Sequence, residues 1–286
     1  PIVGERGYIG AGGNVASNLA ALSPKELIPI SLIGGDWRGM LMEDIFEKSG
    51  MNRDFVIKVP GRFTNAYCKP MRKGISELEY EDPRLDFDNY EPISKETEDK
   101  VIENLRKISG NIDVLCVADQ FRFGIITKCV RDEIIALAKL GLTVIADSRY
   151  NIGEYTDCIL KPNEVECWRA VYNNEGYIDA GYDEFIEAAK LLAKKNRSTV
   201  FCTLGKRGSI VTDGDRTEKA DAVLFDGEVD ICGAGDTSLS AFSAAIAAKT
   251  ELKAAAQFAG LASGVTVRKI GVTGTASPEE IEALTQ

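Results

Sequence analysis

The 286-residue sequence contains no histidine. That absence excludes Ser-His-Asp and Cys-His nucleophile chemistry, and any metal site held by imidazole. Catalysis by this chain must rest on carboxylates, Lys, Arg, hydroxyls, backbone amides or a bound ion. Long apolar runs are missing too. None reaches membrane-spanning length, and no signal-peptide pattern is seen at the start. Positive charge is scarce, with 34 Lys+Arg against 44 Asp+Glu and a net charge of −10. No basic cluster of the kind a nucleic-acid binder displays is present. The expectation is no nucleic-acid partner and no membrane partner. The seven cysteines (Cys68, Cys116, Cys129, Cys158, Cys167, Cys202 and Cys232) form no C-x-x-C pair. Several sit in apolar runs such as "VLCVA" and "TVFCTL", as small core residues do. A reducing cytoplasm is the expected setting. The phosphate-binding sequence G-x-x-x-x-G-K-[ST] is also absent.

What is present reads as a globular α/β chain. Hydrophobic residues make up 44% and prolines number only 9, which argues for a packed core and against disorder. Apolar runs of strand length occur at 28–34, 112–118, 142–147, 157–161 and 198–204, near-continuous as buried parallel strands are. Helical patterns lie between them, over 38–50 with Gly50 as the stop, 94–109, 124–140, and 183–195 with Asp183 as the N-cap. This alternation predicts a mostly parallel sheet covered by helices on both faces. The stretch 54–90 differs. "DFVIKV", "TNAYCKP" and "ELEYED" are short, polar and half-alternating, so exposed antiparallel strands forming a small β lid are expected. Residues 233–286 read as mostly helical. One domain spanning 1–286 with that lid is the simplest organisation.

The motif "DICGAGDTSLSAF" (230–242) carries the most chemistry. Leu239, Phe242 and Ile246 recur at helical spacing, so a helix starts near Gly233. The turn of Gly233, Ala234 and Gly235 would present free amides at the positive end of the helix dipole, an anion site. Asp236 beside a phosphate is a poor ligand and a good base for an attacking hydroxyl. A Gly-rich turn whose Asp favours the helix N-terminus explains the same residues. In "KPNEVE" (161–166), Asn163 and Glu166 share a helical face and suit Mg²⁺. They also suit a capping arrangement, Asn163 at the N-cap and Glu166 at N3. In "TLGKRGS" (203–209), Gly205 and Gly208 permit close backbone approach to a ligand, or a hairpin into "SIVTDG". "GAGGNVASNLAAL" (10–22) offers Asn14 to a polyol or keeps it in a structural role. In "IGGDWRG" (33–39), Asp36 stands at a helix entrance as ligand or cap. Asp119 and Asp147 each end a probable parallel strand, where open α/β sheets bind ligands.

The joint order "GAGGNVA", "GGD..G", "KPNEVE", "TLGKRG", "DICGAGD" and "RKIGVTG" (268–274) resembles the ribokinase-like, or PfkB, carbohydrate kinases over nearly the whole chain. "GAGGNVASNLAAL" and "PRLDFDN" (83–89) look most like the heptose-7-phosphate type, the kinase half of ADP-heptose synthesis enzymes. The resemblance implies a ribokinase-like fold, ATP and Mg²⁺ as cofactors, and phosphorylation of a sugar or sugar-phosphate hydroxyl. It implies Asp236 as the catalytic base, with the amides of Gly233, Ala234 and Gly235 as the anion hole. Asn163 and Glu166 would organise Mg²⁺ and phosphate. Thr203, Gly205, Gly208, Lys269 and Gly271 would line the nucleotide side, and Gly10, Gly13, Asn14 and Asp36 the sugar side. A homodimer through the lid is also expected. The chain departs from the family pattern at three points. Nine residues precede the first glycine turn, where the family opens with a strand bearing a sugar-binding aspartate. Ala11 replaces a glycine, and Cys232 stands where threonine is commoner. The alternatives are a nucleoside or fructose-phosphate kinase of the same fold, or a catalytically silent sugar or nucleotide sensor.

Overall fold

The near-continuous apolar runs become central strands because both of their faces are covered. The computed structural model of the protein describes residues 2–74 and 79–285. Its largest sheet has six strands, β7 (Val114–Asp119), β8 (Thr143–Ser148), β9 (Ile159–Leu160), β10 (Val200–Thr203), β11 (Ser209–Thr212) and β12 (Thr217–Ala220). Their order is sequential, β12-β11-β10-β9-β8-β7. β7 to β10 run parallel, and the last two strands pair antiparallel.

Side chains of successive strand residues enter two separate cores. Val144 and Ala146 of β8, and Val200 and Cys202 of β10, join one cluster with the helical residues Val101, Ile134 and Leu192. Ile145, Phe201 and Val211 join the other, with Val15, Leu239, Phe242 and Ala259. The first cluster draws on α3 (Lys95–Ser109), α4 (Lys128–Lys139) and α6 (Tyr182–Asn196), the second on α1 (Ala11–Ala21), α7 (Ala234–Ala247) and α8 (Leu252–Thr266). The period-2 split is what a strand buried on both faces must show. Phe201 stacks on Phe242 at 4.3 Å between ring centroids and 12° between planes, which fixes α7 against β10.

The helix α2 (Trp37–Ser49) ends on left-handed Gly50, as its sequence predicts. Two expectations need correction. Asp183 is not the N-cap of α6. Gly181 is the N-cap, because Glu184 reaches back to the Gly181 amide, and Asp183 falls in the first turn. The segment "DFVIKV" is not antiparallel lid. Its strand β2 (Val56–Val59) pairs parallel with β1 (Ser31–Gly34), and Ile57 is buried in the first core. The lid proper consists of two antiparallel pairs, β3 (Ala66–Cys68) with β6 (Leu85–Phe87), and β4 (Met71–Lys73) with β5 (Glu79–Glu81). Positions 75–78 of the expected lid lie outside the described residues.

Candidate active site

The site is assembled where α1 and α7 both begin. Gly233 is the N-cap of α7 and has φ +83°, a left-handed conformation that suits glycine. A Cβ there would also lie 2.8 Å from Thr273. Asp230 holds this turn in place. Its carboxylate accepts the amide of Cys232 at 2.9 Å and that of Gly271 at 3.0 Å, which ties the turn to the loop after α8. The Ala234 amide donates to the Ile231 carbonyl at 3.1 Å. The three expected anion-hole amides are therefore not equivalent, because Ala234 is already engaged. Among the described residues the amides of Gly233, Gly235 and Asp236 have no such partner. The Asp236 amide was not expected from the motif, although it lies in the same unpaired first turn.

Asp236 accepts a 3.0 Å hydrogen bond from the Asn14 side chain through its Oδ2. Asn14 is held in turn by the opening of α1. Gly10 is the N-cap, and its carbonyl accepts the amides of Gly13 and Asn14. Buried Asn18 locks the two helices together, donating to the Asn14 carbonyl and accepting from the Thr237 hydroxyl. Burial raises the Asp236 carboxyl to about 6. The Asn14 hydrogen bond and the Lys161 charge oppose that rise, and the Asp147 charge adds to it. As a residue Asp236 is half-buried. A carboxylate near that value can take a proton at neutral pH.

Beneath it lies a pair that sequence reading only half located. The Lys161 Nζ donates to Asp147 Oδ2 at 2.6 Å, with both side chains buried. Gln120 donates to the other Asp147 oxygen at 2.9 Å. Burial lowers the Lys161 ammonium, but the Asp147 charge and hydrogen bond, with Glu166 and Asp236 nearby, hold it above its ordinary value. The signal in the sequence was a lysine closing the apolar run "DCILK". Asp119 proves different from Asp147. It accepts from Ser148, Asn151 and Tyr155, and so anchors the loop after β8.

Asn163 and Glu166 form a complete capping box at the start of α5 (Glu164–Tyr172), each side chain accepting the other's amide at 2.9 Å. Burial pushes the Glu166 carboxyl up and the Asp147 charge adds to the shift. A bound cation would relieve both effects. No group of three or more acidic or thiol ligands occurs among the described residues. One carboxylate with an amide beside it is a donor set of the kind Mg²⁺ takes together with phosphate and water.

The residues expected on the nucleotide side lie in two neighbourhoods. Thr203 bridges to Asn163 and donates its amide to the Pro162 carbonyl. Gly205 and Gly208 make the β10–β11 hairpin, so the hairpin reading of "TLGKRGS" holds. At Gly208 (φ +84°) a Cβ would come within 2.2 Å of the Ala220 carbonyl oxygen. Lys269 donates to the Thr275 carbonyl and pairs with Glu280, so it braces its loop rather than standing free. Asp36 caps α2. It accepts the Gly39 amide at 2.9 Å and the Thr64 hydroxyl at 2.7 Å. Burial raises its carboxyl, but those bonds, the Thr64 amide and Arg38 outweigh the rise and leave it low. In this position Asp36 fastens the base of the lid.

Known proteins resemble this chain over most of its length. The sequence model described as pfkB family carbohydrate kinase matches residues 4–280. The bifunctional protein HldE of Geotalea uraniireducens is 30% identical over 283 residues, covering 96% of this chain and 54% of that protein. HldE of Sulfurimonas denitrificans is 30% identical, covering 97% and 56%. The chain thus spans about half the length of these curated relatives. Among solved structures, the phosphofructokinase-2 from Escherichia coli in complex with substrates and products superposes with a TM-score of 0.74 at 19% identity, covering 96% and 86% of the two chains. Arabidopsis thaliana ribokinase complexed with ribose and ATP gives 0.72 at 19%, covering 96% and 86%. The fold is the ribokinase-like α/β fold.

Proposed function

We propose, because the chain belongs to the pfkB family of carbohydrate kinases, that it transfers the γ-phosphoryl group of ATP to a hydroxyl of a sugar or sugar phosphate. The observation that carries this reading is the 3.0 Å bond between Asn14 and Asp236, which joins the first glycine turn to the carboxylate raised to about 6. Asp236 takes the proton of the acceptor hydroxyl as it attacks phosphorus. Asn14 holds that carboxylate by one oxygen and leaves the other for the substrate. The amides of Gly233, Gly235 and Asp236 receive charge on the transferring phosphoryl oxygens, the type of donor worth ~3 kcal/mol each.

Glu166, with Asn163 beside it, would hold Mg²⁺, which supplies charge neutralisation to the phosphate oxygens. The buried Lys161–Asp147 pair keeps a cation under the transfer site without opening it to water. The loops containing Thr203, Gly205 and Gly208, and Lys269 and Gly271, are assigned to the nucleotide, and the turn of Gly10 and Gly13 to the sugar. Identity of 30% to HldE proteins supports an acceptor of the heptose-7-phosphate type. Among the described residues no helix is long and apolar enough to cross a membrane, and the free cysteines suit the reducing cytoplasm. Exposed Met71, Tyr80 and Leu85 on the lid suit a homodimer through that surface, to be checked by light scattering.

The test is ADP release with MgATP against a panel of sugars and sugar phosphates, fructose 6-phosphate and nucleosides included, run beside Asp236→Asn. Acceptor-dependent turnover that the variant lacks is expected. Turnover with no acceptor at all would overturn the reading.

A further inference from the structure

Ser238, Ser240 and Ser243 lie on α7 and Ser263 lies on α8, and their hydroxyls do not bond alike. Ser240 donates to the Asp236 carbonyl at 2.8 Å and Ser243 to the Leu239 carbonyl at 2.7 Å. Each returns to the carbonyl four residues earlier in its own helix, a common partner for a serine in a helix interior. The carbonyl in that position for Ser238 is that of Ala234. Its side-chain donor is instead Ser263, which reaches across from α8 at 3.3 Å. The two hydroxyls Ser238 and Ser263 meet at 2.7 Å. A serine hydroxyl carries one proton. Since that of Ser263 goes to the Ala234 carbonyl, the 2.7 Å contact is donated by Ser238. The pair therefore forms a directed chain that ends on the first carbonyl of α7. Its base on α8 is firm. The Asp230 amide donates to the Val267 carbonyl at 2.8 Å and the Gly271 amide to the Asp230 carboxylate at 3.0 Å, so the end of α8 is fastened to the same turn.

We infer that Ser263, with Ser238 behind it, is a positioning residue for the anion hole, acting through the peptide that joins Ala234 to Gly235. This rests on the kinase reading above for what the hole receives. A peptide unit is planar, and its carbonyl and amide point in opposite directions. The Ala234 carbonyl and the Gly235 amide are the two ends of one such unit. A donor on the carbonyl fixes the plane and polarises the amide at the other end. That amide is one of the three in the turn without a backbone partner among the described residues, and Gly235 is exposed. A Cβ on Gly235 would stand 3.8 Å from Lys161 Nζ, so the residue lies beside the buried Lys161–Asp147 pair. The Gly233 amide is the built-in contrast. It belongs to the peptide of Cys232, which neither serine touches. A pair that served only as a polar lock between α7 and α8 would affect stability and leave the chemical step alone.

The whole chain would be compared as wild type, Ser238→Ala, Ser263→Ala, the double variant and Ser243→Ala, with thermal melts as the folding control. Single-turnover transfer from MgATP to the acceptor found in the panel above is read beside KM for both substrates. In the double variant the rate should fall about two- to sevenfold with KM unchanged, the share of an anion-hole donor that polarisation supplies. Ser263→Ala should lose less, because Ser238 can then turn to the Ala234 carbonyl as Ser240 and Ser243 turn within their helix. Ser238→Ala should lose least, since Ser263 still donates, and Ser243→Ala should keep the wild-type rate. A second readout needs no substrate. In NMR of the chain labelled with nitrogen-15 glycine, the Gly235 amide proton should move upfield in the double variant while that of Gly233 stays in place. An unmoved Gly235 resonance, an unchanged rate, a rise in KM in place of the loss of rate, or an equal loss in Ser243→Ala overturns the inference. Should the double variant not fold, Ser263→Ala is judged by the same resonance. A Gly235 shift in a protein whose wild type phosphorylates no acceptor would instead sink the kinase reading and leave the positioning of Gly235 standing.

Discussion

Asp147 and Lys161 keep their charges inside the protein, with side chains 8% and 3% exposed, whereas the lid pair Arg72–Asp82 keeps its charges in water at 70% and 35%. The contact distance is 2.6 Å in both pairs. Distance therefore says little about what each pair contributes. A buried pair that loses one member strands an uncompensated charge, while an exposed pair trades its partner for water. The candidate site contains a contact of the first kind and the lid one of the second. This suits a rigid reacting centre under a segment that can move.

The comparison can be broken at five residues, beginning with the largest expected effect. Asp236→Asn should lower turnover 10²- to 10⁴-fold, about the contribution of a general base, with the melting temperature little changed. Steady-state kinetics beside a thermal melt checks this, and a loss of folding in place of activity would contradict it. Lys161→Met should leave Asp147 buried without its cation and cost about 3–5 kcal/mol in urea unfolding. Arg72→Gln on the lid should cost no more than about 1 kcal/mol in the same assay. Equal losses in these two variants would erase the distinction between the regions.

The pH profile sharpens the picture further. The folded Asp236 carboxyl lies at about 6, above its ordinary value of 3.8. Its protonated form therefore stabilises the fold below about pH 4, and that stability is lost as pH rises through about 6. Activity runs the other way, because only the ionised carboxylate accepts a proton. The kcat/KM of the free enzyme should rise with pH through a limb near 6. Asn14→Leu removes a donor that favours the ionised form, so the limb should move to higher pH. An unmoved limb would show that Asn14 does not tune the base. Thr64→Val, whose effect should fall between those of Lys161→Met and Arg72→Gln, deprives the Gly34 amide and Asp36 of their shared hydroxyl. It should cost about 1–3 kcal/mol by chemical denaturation while leaving the pH limb in place.

Much of this was legible in short stretches of sequence. The Gly-rich turn into Leu239 and Phe242 predicted α7 and the place of Asp236 in its first turn. The spacing of Asn163 and Glu166 predicted the capping box. Other residues escaped. Asp183 looked like the cap of α6 because its residue type is common there, yet Glu184 makes the bond from three positions after Gly181. Lys161 closed an apolar run and gave no sign of its partner, since Asp147 arrives from a neighbouring strand.

The sequence by itself determined where strands and helices run, where glycine turns open onto helices, and that both faces of the sheet are covered. Those features depend on periodicity and on hydrogen bonds spanning a few residues. Only the tertiary structure decided that Asn14 meets Asp236 across 222 positions, that β2 joins β1 in parallel, and that Arg122 and Arg149 share one ring. Such meetings depend on strand order and helix packing. No local pattern encodes that order, because the same alternation of strands and helices is compatible with more than one arrangement.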